Sequence, residues 1–116
     1  MTATGQNFTM YQGDDRVLEV TVLDDSDQIV NITNTDIAWV MYKQTDETLV
    51  LQKTTTSGIQ LTSPVSGIFQ ISLNPVDTQN LKGHYLHEAE LRDVEGRITT
   101  IMTGHVEIYR SLASNP

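Results

Sequence analysis

Apolar and polar positions alternate along almost the whole chain, in short runs divided by clusters of Gly, Asn, Asp and Ser. A period of two marks strands half-buried on a sheet, and the 3.6-residue period of an amphipathic helix is nearly absent. The pattern predicts strands over 8–12, 16–23, 36–43, 48–54, 59–61, 68–73, 98–102 and 106–109, and another running from Tyr85 to Leu91. Turns fall at 13–15, 24–27, 45–47, 63–67 and 93–96, with a short return strand over 28–30. Strands spaced about 8–12 residues apart argue for two antiparallel sheets packed face to face, in one domain covering 1–116.

The apolar faces assign the core. Leu18, Val20 and Val22 share one face of the second strand, and Ile68, Ile71 and Leu73 surround Phe69 on a later one. Ile32, alone in a polar loop, is expected to be pinned beneath it. In 36–43 both faces are apolar: Ile37, Trp39 and Met41 on one, Ala38, Val40 and Tyr42 on the other. Such a strand is central, or has one face covered by a neighbouring subunit. Trp39 is the expected core anchor, and Ala38, Val40 and Tyr42 are a possible subunit interface.

Two punctuating features refine this picture. Pro75 and Asp77 favour one helical turn over 76–81, and Gly104 reads as a bend or bulge between two strands. The run Leu81-Lys82-Gly83-His84-Tyr85 then looks like the corner of a sandwich, in which a buried Tyr ties a loop to the strand behind it. Leu81, Gly83 and Tyr85 are its structural residues. Segment 1–7 reads as an N-terminal arm and 111–116 as a C-terminal tail, both expected to be ordered only by neighbours.

Composition narrows the function. Seven basic residues against 15 acidic ones leave a formal charge of −8, which disfavours nucleic acid and anionic lipid. The chain has no cysteine, so neither a disulfide framework nor a thiolate metal site is available. No basic-then-apolar leader opens the sequence, and no apolar run approaches the roughly 20 residues of a membrane helix.

Each candidate for chemistry has a plainer explanation. His84 and His87 lie three apart on one strand, so they face opposite ways and cannot share a metal ion. His87 has the parity of Tyr85 and is expected to be a hydrogen-bonded residue at the edge of the core. Asp24-Asp25-Ser26-Asp27 lacks the Gly and distal Glu of a calcium loop, and reads as a solvated hairpin turn. Glu88 and Glu90 share a face, as paired glycosidase carboxylates would, but no cleft accompanies them. No glycine-flanked serine elbow exists for a catalytic triad. The expectation is a protein that is not an enzyme, with no cofactor and no metal.

Taken in order, several segments resemble an immunoglobulin-like domain common in tailed-phage structural proteins. It occurs at the N-terminus of baseplate upper proteins and in related small tail, neck and head proteins. The matching residues are Gln12-Gly13-Asp14-Asp15 before Leu18-Glu19-Val20-Thr21-Val22, and Asp24-Asp25-Ser26-Asp27 before Ile29-Val30-Asn31-Ile32-Thr33. Ser66-Gly67-Ile68-Phe69-Gln70-Ile71, Leu81-Lys82-Gly83-His84-Tyr85 and Glu90-Leu91-Arg92-Asp93-Val94-Glu95-Gly96-Arg97 follow. Asp27-Gln28 stands where the pattern usually has Gly, and His87 where an aromatic or aliphatic residue is common.

The resemblance implies an all-β, immunoglobulin-like sandwich of about seven to nine short strands. It also implies a non-enzymatic virion component, an adaptor, decoration or tail-associated subunit made in the host bacterial cytoplasm. The implied partners are other virion proteins, with many copies in a symmetric assembly; nucleic acid and membrane are not among them. The alternative on the same fold is a carbohydrate or cell-surface adhesion module, for which Tyr11, Trp39, Tyr42 and Tyr109 are the aromatic supply.

Overall fold

Val, Ile and Thr crowd the alternating segments, and β-branched side chains fit the pleated, half-buried surface of a sheet. The computed structural model describes residues 4–112; expectations for 1–3 and 113–116 lie outside the described residues. The described residues form nine strands in two sheets. In the larger, β1 (Thr4–Gly5) and β2 (Phe8–Tyr11) run parallel to β9 (Ile98–Tyr109). Then β9 pairs antiparallel with β8 (Gly83–Arg92), β8 with β4 (Asp36–Lys43), and β4 with β5 (Leu49–Thr54). The smaller sheet has the order β3 (Arg16–Thr21), β7 (Ile68–Leu73), β6 (Ile59–Ser63), antiparallel throughout. The fold is an immunoglobulin-like β-sandwich.

Alternate side chains of both sheets fill the space between them. Trp39 lies at the centre of this core, with Ile37, Met41, Phe69, Ile71 and Leu73 fully buried around it. Each such side chain contributes about 1.5–3 kcal/mol by leaving water. Ile32 is pinned under its loop, where its N–H donates to the Pro64 carbonyl. The core face of β7 is Phe69, Ile71 and Leu73, so Ile68 falls on the opposite parity and is only partly buried.

Tyr85 is buried, and its hydroxyl donates to the Lys82 carbonyl at 3.0 Å while accepting the Lys82 N–H at 3.1 Å. Gly83 opens β8 with φ of 102°, a left-handed conformation that side chains rarely adopt. Nothing would obstruct a Cβ there, so backbone conformation alone selects glycine. Leu81 packs against the core beside this loop.

The helical turn is shorter and earlier than expected, Pro75–Thr78 (α1). The Asp77 carboxylate accepts the Asn74 N–H at 2.7 Å and pairs with Lys53 Nζ at 2.8 Å. The buried Thr78 hydroxyl accepts the Gly13 N–H, fastening the turn to the start of the chain.

Two expectations fail near β9. Gly104 is neither bend nor bulge, because β9 continues straight through it. The irregularity lies three residues earlier: Ala89 pairs with Met102 and Glu90 with Thr100, leaving Ile101 extra. This bulge lets Ile101 and Met102, adjacent in sequence, both face the core. The described part of the arm is also not left to neighbours. Thr4 and Gly5 pair with Met102 and Thr103, and the Gln6 N–H donates to the Thr103 carbonyl at 2.7 Å.

Replacing Tyr85 by Phe removes both hydrogen bonds at the corner and leaves the ring in place. The Tyr85→Phe variant should lose about 1 kcal/mol of stability in urea titration. An unchanged midpoint would show that the corner hydroxyl adds nothing.

Candidate functional site

Two places on the sandwich bring distinctive side chains together: the outer face of the larger sheet, and a buried histidine beneath its amino-terminal edge. The outer face follows from β4 parity. Ala38, Val40 and Tyr42 point away from the second sheet and are half-buried by their neighbours. Cross-strand pairing sets Leu86 beside Tyr42, Glu88 beside Val40 and Glu90 beside Ala38. The result is an apolar row bordered by carboxylates. Burial first, then Glu88 and Glu47, pushes the Tyr42 phenol above its ordinary pKa. A cleft at one end of the face is lined by Ala38, Thr54, Thr56, Glu90, Arg92 and Ile98.

The histidine sits one strand over, on the inward parity of β8. His87 is 1% exposed, so it belongs to the core rather than to its edge. Its Nδ1 accepts the indole N–H of Trp39 at 2.9 Å. Its Nε2 faces the Gln6 carbonyl at hydrogen-bonding distance. Because Nδ1 accepts, the neutral ring carries its proton on Nε2 and donates it to Gln6. Phe8 meets the imidazole edge-on at 5.3 Å between centroids, and the Arg16 guanidinium lies 5.6 Å from the Phe8 ring centre. Burial holds the His87 pKa below its ordinary 6.5; the Gln6 bond opposes this and His105 adds to it.

Gly104 completes this centre. A Cβ there would run into the Gln6 carbonyl and stand 2.7 Å from His87 Nε2. Only glycine lets the arm run beside β9 so closely. Asn7 adds a further tie, its side-chain oxygen accepting the His105 N–H at 2.9 Å.

The remaining predicted residues are dispersed. Trp39 is fully buried, which removes it from any surface aromatic platform. Tyr11 and Tyr109 are exposed cross-strand partners with ring centroids 5.4 Å apart. His84 faces outward near Glu107, with 3.7 Å between charged atoms. Asp24 spends one carboxylate oxygen on the N–H groups of Ser26 and Gln28, which closes the hairpin turn. Among the described residues, no three His, Asp or Glu side chains converge as metal ligands. The Trp39–His87–Gln6 relay has a single signal in the sequence, the inward parity of a histidine on a strand.

No family model matches the chain, and no curated protein does. Among solved structures it is similar to CopC from Methylosinus trichosporium OB3b, with a TM-score of 0.47 and 8% identity over 93% of this chain and 86% of that one. It is also similar to murine CRIg, with a TM-score of 0.45 and 12% identity over 90% of this chain and 92% of that one.

Two outcomes follow from the buried histidine. Trp39→Phe strands the Nδ1 acceptor of His87 in the core, and should cost about 1–3 kcal/mol beyond the loss of ring volume. Between the depressed folded pKa and 6.5 the unfolded chain binds the proton and the folded one does not. Stability contributed by His87 is therefore complete above about pH 6.5 and declines as pH falls below it. Urea midpoints across pH 5–8 measure this, and His87→Gln should flatten the decline.

Proposed function

We propose that this protein is a non-enzymatic structural subunit, an immunoglobulin-like adaptor or decoration component that assembles with other proteins of a tailed-phage particle. The observation that carries the reading is the half-buried apolar row of Ala38, Val40, Tyr42 and Leu86 on the outward face of the larger sheet. Packed proteins rarely leave a contiguous apolar row to water without a use for it. The flanking Glu88 and Glu90 fit a partner with apolar anchors and a rim of Lys or Arg, a charge pattern that favours encounter and orientation. The ordered set of segments resembling phage structural domains supplies the biological setting. In that setting the protein is present in several copies, resides in the virion and contacts neither nucleic acid nor membrane.

A second reading, a glycan-binding adhesion module, is supported by the exposed Tyr11–Tyr109 pair, whose tilted rings offer a stacking surface at the sheet edge. A glycan screen of the wild type and of Tyr11→Ala separates the two readings, since only adhesion predicts hits lost in the variant.

Cross-linking of intact particles, and light scattering of the purified chain with particle extracts, test the leading reading directly. Val40→Lys places a charge in the middle of the row, opposite Glu88 and outside the core, and should weaken assembly about tenfold or more while shifting thermal stability little. A wild-type chain that stays monomeric and is found in no particle would overturn the proposal.

A further inference from the structure

The Trp39–His87–Gln6 relay joins the deepest part of the core to the amino-terminal segment, and it works in one protonation state only. Neutral His87 accepts from Trp39 at Nδ1 and donates to Gln6 at Nε2. A proton added at Nδ1 turns that acceptor into a donor, which then faces the Trp39 N–H, another donor. The imidazolium is left without water and with one of its two partners lost. To regain hydration it has to turn away from Trp39, and what covers it on the solvent side is the segment from Gln6 to Phe8.

The charged groups around the ring do not compensate. His105 of β9 and Tyr42 of β4 line a depression on one side of it. Arg16 and Glu19 of β3 line a cavity on the other, together with Gln6, Asn7 and Met102. Arg16 and a protonated His105 repel an imidazolium. Glu19 is the single carboxylate among the described residues lining that cavity, and it accepts a hydrogen bond from Gln70 at 3.1 Å. Glu88 and Glu90, on the strand of His87 itself, face outward.

We propose that His87 is a proton-operated latch on the amino-terminal segment: the neutral ring holds residues 4–7 against β9, and protonation releases them. The holding contacts are few. They are the Gln6 carbonyl on His87, the Gln6 N–H on Thr103, the Asn7 side chain on the His105 N–H, and the short parallel pairing of Thr4 and Gly5. Release leaves the β2 pairing from Thr9 to Tyr11 in place, because these residues match Glu107 to Tyr109 and none of them meets the ring. It uncovers the Thr103 carbonyl and the His105 N–H on the edge of β9.

The test is amide exchange and ring titration on the isotope-labelled full chain, read by NMR between pH 7.5 and 5.0. After correction for intrinsic exchange, the Gln6 amide should lose about tenfold or more of its protection as pH falls, while Ala89 and Ile71 in the core stay protected. The midpoint should coincide with the titration of the His87 ring carbons. His87→Gln should abolish the pH response, whereas His105→Gln should retain it. Gly104→Ala, whose methyl group takes the space of the Gln6 carbonyl, should show the released segment already at pH 7.5. Gln6 protection unchanged to pH 5.0 overturns the latch, as does an equal response in His87→Gln. If that variant does not fold, the wild type alone decides: release with a midpoint away from the His87 titration, or a ring that stays neutral to pH 5.0, also overturns it.

Discussion

A histidine with no access to water must have both ring nitrogens satisfied by protein, and here those two bonds lead in opposite directions. One runs inward to the indole of Trp39, the other outward to the backbone of Gln6. The largest core side chain, the central strand β8 and the amino-terminal segment are therefore joined by three consecutive groups. Apolar packing sets the separation of the sheets, but it is indifferent to small slips along them. A buried polar relay is not, because a displaced partner leaves an unsatisfied donor or acceptor costing about 1–3 kcal/mol. The relay thereby fixes the register of the arm on β9, and Gly104 provides the space in which that register is possible.

Much of the sandwich is legible in the alternation of side chains. The inward placement of Val20, Val22 and Trp39 follows from a period of two, as does the division of β8 into inward Tyr85 and His87 and outward His84, Glu88 and Glu90. The tie between Tyr85 and Lys82 spans only three residues, so local sequence can point to it. What escapes depends on distant partners. Trp39 and His87 are 48 positions apart and Gln6 and His87 are 81 apart, and no local pattern encodes either meeting. Gly104 misleads for the same reason: its constraint is the Gln6 carbonyl of the arm beside it, not its own backbone. The bulge at Ile101 is hidden because two adjacent apolar residues break the alternation that otherwise locates a face.

The two faces of β4 illustrate how one strand can serve two purposes. Its inward residues are consumed by the core, while Ala38, Val40 and Tyr42 gain only partial cover from the flanking strands. Apolar residues on both sides of a strand are normal where helices or a second layer cover each face. In this sandwich the second layer covers one face only, so the outward row is surplus to folding. That surplus is what makes the outer face, rather than any loop, the candidate for recognition, and the carboxylates beside it give the surface a sign as well as a shape.

The direction of β1 and β2 has a mechanical consequence. Residues 4–11 run alongside 102–109 in the same sense, so the chain enters this pairing at one end of the ladder and leaves it at the other. Tension applied through the two ends of the chain would pull the partners past each other lengthwise, stretching the hydrogen bonds together. An antiparallel terminal pair would instead unzip, its bonds breaking in succession. Resistance to force is governed by the rate of unfolding rather than by equilibrium stability. A domain closed in this way is loaded in shear rather than peeled when its two ends are drawn apart.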